Sequence, residues 1–122
     1  MLRMAIALYC EDAESYKEVK KQISLICSVP VHSYDSNREF ISAITDRPDL
    51  IMMVIQTGSK SIETAMSALG HNKAGKLVWF SDIDFALLSF RLRAAYFGLM
   101  PVEMDKLKTA LSSCGIIAGN EI

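Results

Sequence analysis

The chain has 122 residues, a length that suits one domain built around one core. Hydrophobic residues make up 51% and charged residues 22%, which excludes a disordered polymer. The formal net charge of -1 offers no overall attraction to nucleic acid or to an anionic membrane.

The elements follow in chain order. The opening run Arg3–Tyr9 (RMAIALY) reads as a buried strand; it is short and ends in acids, so it is no signal peptide. A helix is expected from about Asp12 to Cys27. Tyr16, Val19, Ile23 and Ile26 keep helical spacing on its inner stripe, and Lys17, Lys20 and Lys21 lie outside it. Val29–Tyr34 is a short strand containing Pro30, which suits a sheet edge. Ser36 and Glu39 form a capping box for a helix from Asn37 to Thr45. After Arg47-Pro48-Asp49 comes LIMMVI, a continuous apolar run of the kind buried on both faces.

The third helix starts near Ser61, with Ile62, Ala65, Met66 and Leu69 on one face, and glycine ends it at GHNKAG. Lys76–Ser81 is the fourth strand. Asp82 or Asp84 is placed to cap a helix running to about Arg93. Ala94–Met100 is the fifth strand, stopped by Pro101, and the last helix spans about Glu103 to Ser113 with Leu107, Ala110, Leu111 and Cys114 inward. Residues 1–115 thus read as one domain and 116–122 as a terminal stub or the start of a linker.

Strict alternation of buried strands and helices predicts an α/β fold. Its expected form is a five-stranded parallel sheet of order 2-1-3-4-5, covered by helices on two faces, as in flavodoxin-like proteins. In such sheets sites form beyond the C-terminal strand ends. Leu8 to Cys10, Val54 to Gly58, Ser81, Asp82, Met100 and Pro101 fall there. The last residues of the third strand, Met53, Val54 and Ile55, hold no acid, base, nucleophile or metal ligand. Cys10, Cys27 and Cys114 are odd in number, far apart and without a CxxC, which argues for reduced, buried thiols in a cytoplasmic protein and against a disulfide framework or a zinc site. No apolar run approaches the ~20 residues needed to cross a bilayer.

The segments RMAIALYCED, RPDLIMMVIQTGSKSIETA and RLRAAYFGLMPVEMDKLKTAL carry a resemblance to response-regulator (CheY-like) receiver domains, in the flavour that precedes LytTR-type DNA-binding domains. The family usually reads DLVFLDIQMPxMDGIETA in the middle segment and AxDYLLKPV near the end. The resemblance implies a two-component signalling and phosphorelay scaffold, a cis peptide at Met100–Pro101, and a switch aromatic at Phe97. It also implies a site made of two Mg²⁺-binding acids, a phosphoacceptor aspartate, a hydroxyl and a lysine. Those positions fall on Leu8 and Tyr9, Val54, Ser81 and Met100. Only Ser81 keeps the family's residue type. Mg²⁺ wants oxygen ligands and a phosphoryl group wants cations, so the replacements remove the chemistry. No Mg²⁺ or other cofactor, and no enzymatic activity, is expected.

Several residues have bland readings beside sharper ones. Glu11 and Asp12 suit a helix N-terminus better than a shifted metal pocket. Asp49 suits a turn after Pro48. Ser81 suits a capping hydroxyl, and Gly58, Ser59, Lys60 and Ser61 an ordinary solvated turn rather than an anion cradle. His32 and His71 read as surface residues, and Cys10 as an inert small side chain. In DFALLSFRLRAAYF, Phe85, Leu88 and Leu92 form one stripe, and Leu87 and Phe90 fall largely off it, with Arg91 nearby. That surplus suggests a second covered surface.

The expectation is a non-phosphorylatable receiver, a pseudo-receiver, of a bacterial transcription regulator. It would act by dimerisation or by protein binding through the fourth helix, fifth strand and fifth helix. DNA would be reached only through a downstream domain beyond Ile122, and no membrane is involved. Two alternatives stand beside it: an orthodox phosphorylated regulator in a different register, and a flavodoxin-like small-molecule sensor, whose first turn LYCEDAES is poor in Ser, Thr and Gly.

Overall fold

The computed structural model describes residues 4–117. Strands β1 (Ala5–Cys10) and β3 (Leu50–Ile55) are apolar at every position and buried at every position, because helices cover both faces of the sheet there. Strand β2 (Val31–Tyr34) is an edge strand and half-exposed. Pro30 stands just outside it, where its missing N–H costs nothing and its carbonyl still accepts from Ile6 N at 2.9 Å. With β4 (Lys76–Ser81) and β5 (Tyr96–Leu99) they form one parallel sheet of order β2-β1-β3-β4-β5, as the alternation of elements predicts.

Successive side chains point to opposite faces and feed two cores. On one face Ile6, Leu8, Ile51, Met53, Val78 and Phe80 pack against helices α1 (Ala13–Ile26) and α5 (Met104–Ser113). On the other, Ala7, Tyr9, Met52, Val54, Leu77 and Trp79 meet α2 (Asn37–Ile44), α3 (Lys60–His71) and α4 (Ala86–Arg91). Asp12 caps α1 by accepting from Ser15 N at 3.0 Å, and hydrogen bonding from the Ser15 side chain and then its amide holds the Asp12 carboxyl below the usual range. Ser36 caps α2 by accepting from Glu39 N at 3.4 Å.

Two helices depart from the sequence reading. On α3 Met66 is half-exposed, and Ser61, Thr64, Ala65 and Ala68 are buried instead. Two hydroxyls can face the sheet because each has a partner there: Thr64 Oγ1 donates to Gln56 Oε1 at 2.7 Å, and Ser61 Oγ lies 3.2 Å from Ser81 Oγ. Helix α4 is six residues long: it opens at Ala86, later than expected, and its last residue, Arg91, lies within two of the expected end at about Arg93. Asp84, not Asp82, bonds its first amide, Ala86 N, at 3.0 Å. It closes there because Arg93 turns left-handed (φ 61°), so that Arg93 N returns to Phe90 O and Ala94 N to Ser89 O, a Schellman closure.

The same closure ends α5: Gly115 (φ 78°) donates to Ser112 O and Ile116 N to Leu111 O, both at 3.0 Å. Ile116 and Ile117 then pack on the α1/α5 core; 118–122 lie outside the described residues. No helix among the described residues is long and apolar enough to cross a membrane.

Candidate functional site

The five positions at which receivers carry chemistry do not converge on one pocket. Tyr9 and Val54 are register partners in adjacent strands, Val54 pairs with Trp79, and Trp79 pairs with Phe97. These four form a row across the α2–α4 face of the sheet. Val54 and Trp79 are fully buried, and Tyr9 stacks on Phe40 with centroids 5.5 Å apart. Trp79 stacks on Phe85 and meets Phe97 edge-on, both at 5.2 Å. Phe97 is thus turned inward, half-buried against Trp79. Leu8 and Met100 belong to the opposite core, against α1 and α5. Ser81 alone is polar among the five and is fully buried. It bonds Ser61 and accepts from Ile83 N at 3.3 Å, so it braces the turn after β4 rather than capping a helix.

The polar groups at the strand ends come from positions that local spacing does not single out. Asp12 caps α1, which leaves Glu11 free to cross to the β3–α3 loop. There one carboxylate oxygen accepts from Thr57 N at 2.9 Å and from the Thr57 hydroxyl. From the other side Asp82 Oδ1 accepts from Gly58 N at 2.7 Å. Gly58 has φ 74°, a conformation that favours glycine, and its backbone carbonyl accepts from Ser61 Oγ at 3.0 Å. The segment expected to be a plain solvated turn is therefore held by two carboxylates from two different loops.

This donor set does not fit Mg²⁺. Leu8, Tyr9 and Val54 offer no carboxylate, and Glu11 and Asp82 are already paired with backbone amides of one loop. Beside them Cys10 is buried, and its thiol is pushed up to about 12, first by burial and then by the Asp12 and Glu11 carboxylates. It stays a neutral thiol at physiological pH.

At the β5–α5 junction the Met100–Pro101 peptide is cis. A cation is nearby, but it is tied to the β5 end and its loop. Lys106 Nζ donates to Leu99 O at 2.7 Å and Pro101 O at 3.2 Å, and pairs with Glu103 at 3.2 Å. His71 and His32 are exposed and Asp49 pairs with Arg47 at 3.2 Å, away from these groups.

Helix α4 buries Phe85, Leu88 and Leu92 in part against the sheet and turns Leu87 and Phe90 outward, 66% and 80% exposed, with Arg91 beside them. A six-residue helix has too few turns to hide two apolar stripes, so one faces solvent.

No protein-family model matches the chain, and no curated protein matches it. Solved structures do. A candidate pilus assembly protein of Burkholderia thailandensis superposes with a TM-score of 0.74 at 13% identity, covering 92% of this chain and 98% of that one. The signal receiver domain of a modulated diguanylate cyclase from Desulfovibrio desulfuricans gives 0.70 at 14% identity, covering 90% and 91%. The signal receiver domain of a candidate LuxO repressor protein from Vibrio parahaemolyticus gives 0.64 at 20% identity, covering 89% and 88%. At these identities the likeness is one of architecture: the chain has the fold of signal receiver domains.

Proposed function

We propose that this domain is a pseudo-receiver: it keeps the receiver fold, takes no phosphoryl group, binds no Mg²⁺ and acts by binding a protein through the α4 surface. One observation carries the reading. The phosphoacceptor position is Val54, fully buried and packed in the second core with Tyr9, Met52 and Trp79. The acids that a shifted register would have to recruit are already engaged, Glu11 with Thr57 and Asp12 with Ser15 N. A phosphoryl group there would meet apolar walls and no counter-charge. What remains on offer is surface, and on α4 that surface is apolar with a positive edge at Arg91.

The larger protein we infer is a bacterial transcription regulator of the two-component type, with DNA contacted by a LytTR-type domain beyond Ile122. A part in pilus assembly is the second reading, favoured by the fold match to a candidate pilus assembly chain over nearly its whole length. The full open reading frame separates these two contexts.

The phosphorylation question is settled by NMR. Adding Mg²⁺ and beryllofluoride is expected to leave the amide resonances of Val54, Thr57, Gly58 and Ser81 in place, and acetyl phosphate to add no mass. Saturable shifts centred on β3 and its loop, or a phosphorylated species, would restore the orthodox phosphorylated regulator.

A further inference from the structure

Two surfaces that the pseudo-receiver reading leaves without a partner are complementary. The first is the α4 patch: Leu87 and Phe90 stand out from the helix, and Arg91 and Arg93 are exposed at its C-terminal end. The acids nearest in sequence are committed elsewhere, Asp82 to Gly58 N and Asp84 to Ala86 N. The second is a groove of about 270 Å³ between α1 and the β5–α5 loop. Met100, Pro101 and Val102 give it an apolar floor, and Asp12, Glu14 and Glu18 line its edge; no lysine or arginine lines it. Lys106, at the base of the same loop, is tied to backbone carbonyls and to Glu103.

We propose that the α4 patch of one copy seats in this groove of a second copy. Phe90 would enter the apolar floor, and Arg91 and Arg93 would face Glu14 and Glu18. The sign of the charges selects this occupant. Two α4 patches face to face would bring four arginines together, a like-charge juxtaposition that costs affinity. The patch against the groove joins apolar surface to apolar surface and cation to anion. The patch packs on the α2–α4 side of the sheet and the groove opens on the α1/α5 side, so the contact is heterologous. Each copy that joins buries one of its two surfaces and offers the other, so the growing assembly always keeps one free patch and one free groove.

This rests on the reading of α4 as the binding surface, and not on the loss of phosphorylation, which beryllofluoride reports on separately. The test is sedimentation velocity on wild type and two variants. Glu14→Lys/Glu18→Lys blocks the groove, and Leu87→Ala/Phe90→Ala strips the patch. All four residues are exposed, and circular dichroism checks that both variants are folded. Wild type is expected to climb past the dimer as concentration rises into the millimolar range. Each variant alone is expected to stay monomeric, its self-affinity lowered at least about tenfold. Mixed together, they are expected to form a 1:1 complex and nothing larger, because only one intact patch and one intact groove remain between them. A wild type that stays monomeric, a plateau at the dimer, a groove variant that associates like wild type, or a mixture of monomers would each overturn the proposal.

Discussion

Glu11, at the end of β1, and Thr57, forty-six positions later, are joined by a carboxylate that accepts from both the backbone amide and the hydroxyl of the threonine. With Asp82 holding Gly58 N from the other side, the β3–α3 loop is bridged to the loops after both neighbouring strands. In a phosphorylatable receiver, the resemblance implies, acids at this end of the sheet hold a metal. Here they hold backbone. A loop fixed at two points has fewer conformations to switch between, which fits a domain with one resting state.

The first prediction concerns that bridge. Glu11→Ala is expected to cost about 0.5–1.5 kcal/mol, the range of a net hydrogen bond, since both partners are exposed and water replaces part of what is lost. The more telling readout is local. Amide exchange at Thr57 and Gly58 should speed up several-fold more than at Val54 or Trp79, whose amides lie in the sheet. Uniform acceleration across the domain would show that Glu11 supports global stability and not the loop.

This bridge also shows where sequence reasoning ends. The fold was legible because its signals are local: LIMMVI and AIALYC are unbroken apolar runs, and the inner stripe of α1 keeps a period of 3.6. Exposure of Leu87 and Phe90 was legible for the same reason, since both fall off the stripe of Phe85, Leu88 and Leu92. The roles of Glu11 and Asp82 were not. Each is one residue from a good capping position, and its true partner lies 46 or 24 residues away. Apolarity alone puts Met66 inward; Ser61 and Thr64 go inward instead because Ser81 and Gln56 are there to meet them. Among the positions assigned by resemblance, Tyr9 and Val54 do lie side by side, but Leu8 and Met100 fall on the other face.

Restoring the aspartate should not restore the chemistry. Val54→Asp would place a carboxylate among Tyr9, Met52 and Trp79 with no cation in that core. The expected cost is about 3–5 kcal/mol, that of an uncompensated buried charge, and larger if the chain cannot relax. Thermal unfolding should show the loss, and beryllofluoride with Mg²⁺ should still produce no shifts around residue 54. A stable, beryllofluoride-responsive variant would mean that the site is one substitution from function.

At the opposite end of the sheet Asn72 ties together three chain segments. Its Nδ2 donates to Ile44 O at 2.6 Å and Arg47 O at 2.9 Å, and its Oδ1 accepts from Gly75 N at 2.9 Å. The side chain is buried, so its loss leaves backbone groups without partners. Asn72→Ala is expected to cost about 2–3 kcal/mol, and Asn72→Leu at least as much, because the missing bonds and not the missing volume set the penalty. Urea denaturation followed by the fluorescence of Trp79, the single tryptophan, measures both. A leucine variant as stable as wild type would show that packing, not hydrogen bonding, is what Asn72 supplies.

The last prediction is the response to alkali. Burial lifts the Cys10 thiol to about 12 and the Cys114 thiol to about 11, against an ordinary value of 9.0, with Lys76 partly offsetting the shift at Cys114. A thiol whose folded pKa is raised keeps its proton in the native state at a pH where the unfolded chain has lost it. Its contribution to stability is therefore complete below pH 9 and is lost as pH rises through 11 and 12. Tyr9 and Tyr96, also raised by burial, add to the loss at the upper end of that window. The urea midpoint should be flat with respect to these groups around neutrality and fall from about pH 9 upward, each thiol adding up to about 1.4 kcal/mol per pH unit. Cys10→Ala should lower the midpoint at pH 7 through lost packing, yet flatten the slope between pH 9 and 11. An unchanged slope in that variant would place the alkaline loss on Cys114 and the tyrosines instead.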